Sequence, residues 1–277
     1  MKRDVRLVAG SHVARILLNE RGLTIAELLM AAFIGLVVLG ASWGAVAVQG
    51  RSAVYQAGLA DAQSTGRGTG TLLLQDLRMA GFGMLGVSPD EDLPPIEYDE
   101  SGGTTTLTLR GAFNNVQTTL QIGAAPGATT LTVNPPANGT FVTGEHVLVD
   151  SGLDSEVKTI TSVSTVGGNL TIGLDSSLDH QYPVGPNVTQ IEKIIYTWED
   201  DLLQRDGQVV ADNAMEFDLQ FVDQDGTVTP APGDNLRSVI LAVVAGDPSP
   251  LPDIPVAQST VETEVNVRNL TFRFDLS

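Results

Sequence analysis

From Leu28 to Val48 the chain reads LLMAAFIGLVVLGASWGAVAV, with Ser42 the only hydroxyl and no charged side chain. A bilayer core takes about 20 apolar residues as a helix. A soluble surface helix keeps a polar face, and this stretch has none. It therefore predicts a membrane-spanning helix. Lys2, Arg3, Arg6, Arg15 and Arg21 precede it, against Asp4 and Glu20. Basic flanks favour the cytoplasmic side, so the amino terminus is expected inside and the residues beyond Arg51 outside. A secretory signal peptide has a shorter apolar core and is cut after it. Here the run is longer, and a cut before it would keep the anchor.

The entry to the span is Arg21-Gly22-Leu23-Thr24-Ile25-Ala26-Glu27. Glu27 is the one acid at the start of the apolar run. As a bare helix-start carboxylate it would be stabilised by the helix dipole at the membrane surface. A carboxylate entering a bilayer otherwise needs a partner.

Basic leader, Gly22, apolar helix and an acid five residues on resemble the cleavage and assembly signal of type IV pilins and pseudopilins. That resemblance implies cleavage between Gly22 and Leu23 by a prepilin peptidase and N-methylation of Leu23. It also implies an assembly role for Glu27, which would pair with an amino-terminal ammonium as subunits pass into a filament. Family members more often carry Phe where this chain has Leu23.

The chain has 277 residues, 33 acids and 15 bases, a net charge of −18. Residues 1–22 hold five of the bases and two of the acids, so without them the charge would be −21. Such acidity argues against nucleic acid as a partner, which requires a basic footprint. It suits solubility outside the cell. There is no Cys, so disulfides, thiol nucleophiles and Cys-based metal sites are excluded.

Residues 51–80 continue with helical spacing through Val54, Ala57, Leu59, Leu72, Leu73, Leu77 and Ala80. Gly66, Gly68 and Gly70 predict a weak or kinked point near 65–71, and Gly81 and Gly83 an end. In LLLQDLRMAGFG, Leu72, Leu73 and Leu77 are expected to pack on a sheet while Asp76 and Arg78 stay solvated. Residues 85–98 are expected as a loop with the acids Asp90, Glu91 and Asp92.

Beyond Gly86, alternating runs predict half-buried strands at 104–110, 129–133, 146–149, 157–163 and 169–174. The stretch 111–192 is expected to be an inserted β-rich module with short strands and tight turns, as in a small barrel. Residues 195–198 and 202–205 read as strands around the acidic turn Glu199-Asp200-Asp201, with Asp206-Gly207 a second turn. Met215, Phe217, Leu219 and Phe221 are expected to face inward on one strand. Leu236–Val244 reads as a more fully buried strand, followed by a Pro-rich loop at 247–255 and strands at 260–266 and 267–276.

The closing segment of the helix, the F-x-L-x-F strand and the strands after it resemble PilW-type minor pilins and the related J-type pseudopilins of type II secretion. The resemblance covers about residues 18–84 and 193–276 and leaves 111–192 outside.

His146 and His180 lie in the expected exported part without nucleophile or metal-ligand spacing around them, and catalysis is not expected. Asp223-Gln224-Asp225-Gly226 has the D-x-D-G centre of a calcium loop, but Phe221 stands where the first ligand should be. An Asp-Gly turn is the favoured reading. Asp223 and Asp225 are retained as weak metal candidates because some pseudopilins bind calcium.

The expected fold class is α+β: a long amino-terminal helix packed on an antiparallel head. The expected organisation is a cytoplasmic leader at 1–22, a helix at 23–84 that spans to about 48, and a head at 85–277 that includes the module 111–192. The resemblance implies a structural minor pilin of a type IV pilus, in the inner membrane with its head periplasmic and then at the cell surface. It implies the prepilin peptidase, other minor and major pilins and the inner-membrane assembly platform as partners. The alternatives are a pseudopilin at the tip of a type II secretion pseudopilus, and a membrane-anchored adhesin or binding module carried by 111–192.

Overall fold

The computed structural model describes residues 24–84, 93–166, 168–233, 236–247 and 256–267. The chain divides into two compact units, Met1–Val54 and Tyr55–Ser277. One helix, α1 (Ile25–Met79), belongs to both. Within the first unit it carries no charged side chain from Leu28 to Val48, and its large side chains from Ile25 to Val48 are 55–80% exposed. Within the second, Gly58, Ala62, Gly66, Thr69, Gly70, Leu73, Asp76 and Leu77 are buried, a 3–4 residue spacing that turns one stripe inward. The helix ends where Gly81 takes a φ of 76° and donates its N–H to Arg110 O at 2.8 Å.

The weak or kinked point expected near 65–71 does not interrupt the helix. The helix runs unbroken through the glycines, and the reason is packing. A Cβ on Gly66 would lie 3.3 Å from Val261 Cγ2, and one on Gly70 would lie 3.2 Å from Val261 Cγ1. The two glycines, one turn apart, let the helix approach the sheet more closely than Ala would. Gly68, on the other side, faces open space. Gly68→Ala is therefore expected to stabilise the protein by about 1 kcal/mol through helix propensity. Gly66→Leu and Gly70→Leu are expected to destabilise it by about 1–3 kcal/mol through overpacking. Thermal unfolding of the full chain in detergent micelles reads the difference, and a Gly70→Leu protein as stable as Gly68→Ala would defeat this account.

The second unit is antiparallel throughout. The strands are β1 (Ile96–Ser101), β2 (Thr104–Gly111), β3 (Gln117–Thr119), β4 (Thr130–Val133), β5 (His146–Asp150), β6 (Ser155–Val166), β7 (Asn169–Leu174), β8 (Asn187–Glu199), β9 (Leu202–Arg205), β10 (Gln208–Ala211), β11 (Ala214–Asp223), β12 (Val228–Thr229), β13 (Leu236–Asp247) and β14 (Ala257–Asn266). Four of them form a sheet in the order β12-β11-β13-β14, and the rest belong to a second sheet running β1-β2-β8-β5-β6-β7-β4. The fold class is α+β, with the helix packed on antiparallel sheets.

β8 organises the larger sheet. Its carboxyl half pairs with β2 and β9, and its amino half with β3 and β5. The chain leaves β2 at Gly111 and returns opposite it at Glu192. Between these points β3 to β7 and the amino half of β8 close on themselves. β4 pairs with β7, and its other edge meets the residues just after β3. There Leu120 bridges Val133, and Gln121 N–H donates to Thr132 O at 3.0 Å. Closure removes the two terminal edges that an open sheet of these strands would have.

Its interior holds Leu120, Leu131, Val133, Val147, Val149, Ile160, Ile172 and Val188 among others. Leu148 lies outside that cluster and packs with Met84, Leu93, Val157 and Ile191. This explains why three consecutive residues of β5 are buried. The main core joins Leu73 and Leu77 of the helix, and Ala80 just after it, to residues of both sheets, including Leu107, Tyr196, Phe217, Phe221, Val239 and Leu241.

Three further expectations are corrected. Ile96–Tyr98, expected in a loop, belong to β1, whose Ile96 pairs with Leu109. The strand expected to begin near 195 starts at Asn187. Met215 is only half-buried, unlike Phe217, Leu219 and Phe221. The β11–β13 register shifts between Ala214 and Glu216, and this bulge takes Met215 out of the alternation. Asp90, Glu91 and Asp92, and residues 248–255 and 268–277, lie outside the described residues.

Candidate functional site

Thr24 and Glu27 form a reciprocal pair at the start of α1. Glu27 N–H donates to Thr24 Oγ1 at 3.2 Å, while Thr24 N–H and O–H each donate to Glu27 Oε2 at 3.1 Å. This is a capping box, T-x-x-E, which satisfies two amide donors otherwise left without partners. The T-x-x-E spacing before the apolar run is its local signal. Glu27 thus has a local partner at the edge of the exposed apolar surface. Ser42, the one hydroxyl within that surface, donates to Val38 O at 2.7 Å, so it leaves no unmet donor on that surface. Gly22 and Leu23 lie outside the described residues.

In the second unit the buried polar groups act as fasteners. Asp76 is 6% exposed, a correction to its expected solvation. Its Oδ2 accepts Tyr196 O–H at 2.7 Å and Arg205 Nε–H at 2.8 Å. One carboxylate thereby ties the last turns of α1 to β8 and β9. Burial, and then the bond to Asp76, push the Tyr196 phenol well above its ordinary value. Arg78, two residues on, is exposed as expected.

Glu156 of β6 is 3% exposed. It accepts Asp179 N–H at 2.8 Å, His180 N–H at 2.7 Å and Tyr182 O–H at 3.2 Å, and Lys158 Nζ lies 3.2 Å away. Burial raises its pKa, but the two backbone donors, Lys158 and His180 outweigh burial and hold it below the ordinary glutamate value. Glu192 plays a similar part on β8. It accepts Asn114 N–H at 3.1 Å and Gln190 Nε2–H at 3.0 Å, and Gln190 in turn accepts Val142 N–H at 2.7 Å. Each buried carboxylate is taken up by donors that fix a loop or a helix.

Asp223 and Asp225 sit in the turn between β11 and β12. Gly226 N–H donates to Asp223 O at 3.0 Å, and Asp225 Oδ1 accepts Thr227 N–H at 3.0 Å. Gly226 has a φ of 87°, as an Asp-Gly turn requires. Glu199-Asp200-Asp201 form the β8–β9 turn, with φ of 50° and 61° at the two aspartates.

His146 is half-buried rather than at the surface, and desolvation lowers its pKa. His180 is exposed, with Nδ1 3.1 Å from Glu156 Oε1. Among the described residues no three His, Cys, Asp or Glu side chains are grouped to hold a metal ion.

No family model, curated protein or solved structure matches the chain. The residues alone carry the functional reading. α1 is long and apolar enough to cross a membrane once, with a mean hydropathy of 2.2 in its most apolar window.

Proposed function

We propose that this chain is a structural subunit of the pilin class, a minor pilin of a type IV pilus. The observation that carries the reading is the composition of α1. It begins on a capped acid, continues as a wholly exposed apolar surface, and ends as the buried helix of an antiparallel β-rich unit. A plain membrane anchor needs only the middle part. The first part supplies one carboxylate at the start of the run, and the last makes the same helix a core element.

In this reading the prepilin peptidase cuts after Gly22 and methylates Leu23. The subunit waits in the inner membrane with its head periplasmic. Glu27 exchanges its bonds from Thr24 for the ammonium of a neighbouring subunit during assembly. Other minor and major pilins and the assembly platform are then its partners.

The test is the amino terminus of the protein from native membranes, read by mass spectrometry beside a Gly22→Ala variant. The expected wild-type chain starts at N-methylated Leu23, and the variant stays uncut. An intact Met1 in the wild type, or a terminus beyond Val48, would overturn the assignment. Pseudopilins share this processing, so localisation of the mature chain to pili or to a secretion apparatus separates the two.

A further inference from the structure

Residues of β1, β11 and β12 line one cleft of about 320 Å³, with Tyr98, Glu100, Asp218, Leu219, Val228 and Pro230 among them. Among the described residues β1 is the terminal strand of the larger sheet and pairs only with β2. β11 is bordered on the side away from β13 only by the short β12, which meets it at Phe221 and Val222. Among the described residues, Met215–Gln220 therefore have no strand neighbour on that side. The Tyr98 ring packs edge-on against Phe221 with centroids 5.5 Å apart, which brings the two edges together at one end of the cleft.

The walls are acidic and partly apolar. Glu100 Oε1 accepts Tyr98 O–H at 2.8 Å, and Asp218 Oδ2 accepts Gln220 Nε2–H at 3.2 Å. Neither carboxylate belongs to any of the ion pairs among the described residues. Asp99 adds charge along β1, whereas Glu97 is paired with Arg110 at 2.8 Å.

We propose that this cleft receives an extended segment of a partner protein that alternates basic and apolar side chains and adds as a strand between β1 and β11. Open strand edges supply the backbone ladder in this mode of recognition, and the side chains beside them supply the selectivity. Glu100 and Asp218 would select the basic positions, and Leu219 and Val228 the apolar ones. A second copy of this chain fits poorly. It carries a net charge of −18, and acids along an edge strand discourage like-charged strands from pairing there. The proposal does not depend on the pilin reading.

The probe is the peptide acetyl-VRVRV-amide, titrated into the full chain in detergent micelles by calorimetry. Hydrogen exchange is read in parallel. Binding is expected, with slowed exchange in Ile96–Ser101 and Met215–Gln220. A Glu100→Gln/Asp218→Asn double variant is expected to bind about tenfold more weakly. An Asp61→Asn/Glu262→Gln control, which loses the same charge on the exposed face of α1 and on β14, at the opposite end of its sheet from β12, is expected to bind as the wild type does. Acetyl-VRPRV-amide keeps the charge but loses an amide donor, and should bind more weakly than the parent peptide. No binding, equal weakening in both double variants, equal binding of the proline peptide, or binding without protection of the two strands would each overturn the proposal.

Discussion

Asp76→Ala is expected to lower the stability of the protein by about 3 kcal/mol. The substitution leaves the fully buried Tyr196 hydroxyl without its acceptor and Arg205, 31% exposed, without its partner. Breaking a buried pair from one side typically costs about 3–5 kcal/mol. The lower end applies because Arg205 can turn to water and retains Asp206, 3.4 Å away. In a unit of this size the loss corresponds to a fall of about 6–12 °C in melting temperature.

Asp76→Asn keeps an oxygen for Tyr196 but loses the charge facing Arg205, so it should fall between wild type and Asp76→Ala. The measurement is thermal unfolding of the three full-length proteins in the same micelles. A melting point for Asp76→Ala within a degree or two of wild type would show that the bridge does not fasten the helix.

Glu156→Ala is expected to destabilise the barrel by a comparable amount, about 3 kcal/mol or more. It strands the Asp179 and His180 amides and the Tyr182 hydroxyl around a site where the acceptor was 3% exposed. The loop that Glu156 holds should become the first site of proteolytic cleavage, near residues 176–181.

The pH dependence has a definite sign. The folded-state pKa of Glu156 lies below the ordinary glutamate value of 4.5. The carboxylate's contribution is therefore full above that value and is lost as pH falls through the lowered folded value. Wild type should show a loss of stability below about pH 4.5 that Glu156→Gln shows to a smaller extent. Identical acid profiles for the two proteins, followed by tryptophan fluorescence, would remove Glu156 from the account. His180, within 3.1 Å of the same carboxylate, belongs in that comparison as a His180→Gln variant.

Much of the fold was legible because its signals are local. Alternation located β2, β4, β5, β7, β11 and β13 to within a few residues, because side chains on a strand point alternately to opposite faces. Asp206-Gly207 marked a turn because such pairs tolerate positive φ, here 51° and 77°. The capping box at Thr24 and Glu27 was equally local.

Signals failed where a distant partner decided the outcome. Gly66 and Gly70 look like helix breakers in sequence and act as a landing surface for Val261, almost 200 residues away. Asp76 looks like a solvated helix acid until Tyr196 and Arg205 arrive from two strands. β1 was hidden because its residues, IEYDES, carry the acids of an edge strand and lack clean alternation. Nothing local distinguishes Glu156 from any other acid on a strand. Its role arises from the loop that folds over it.

The sequence by itself determined the apolar helix, its basic entry, the acid at its start and the α+β class, because hydropathy and short-range backbone preferences are properties of neighbouring residues. Only the tertiary structure decided that the helix stays unbroken across its glycines, that the barrel-like module expected at 111–192 closes through Leu120 and Val133 and hangs from the middle of β8, and which carboxylates are buried fasteners. Those outcomes depend on close approach and on pairing between groups far apart in the chain.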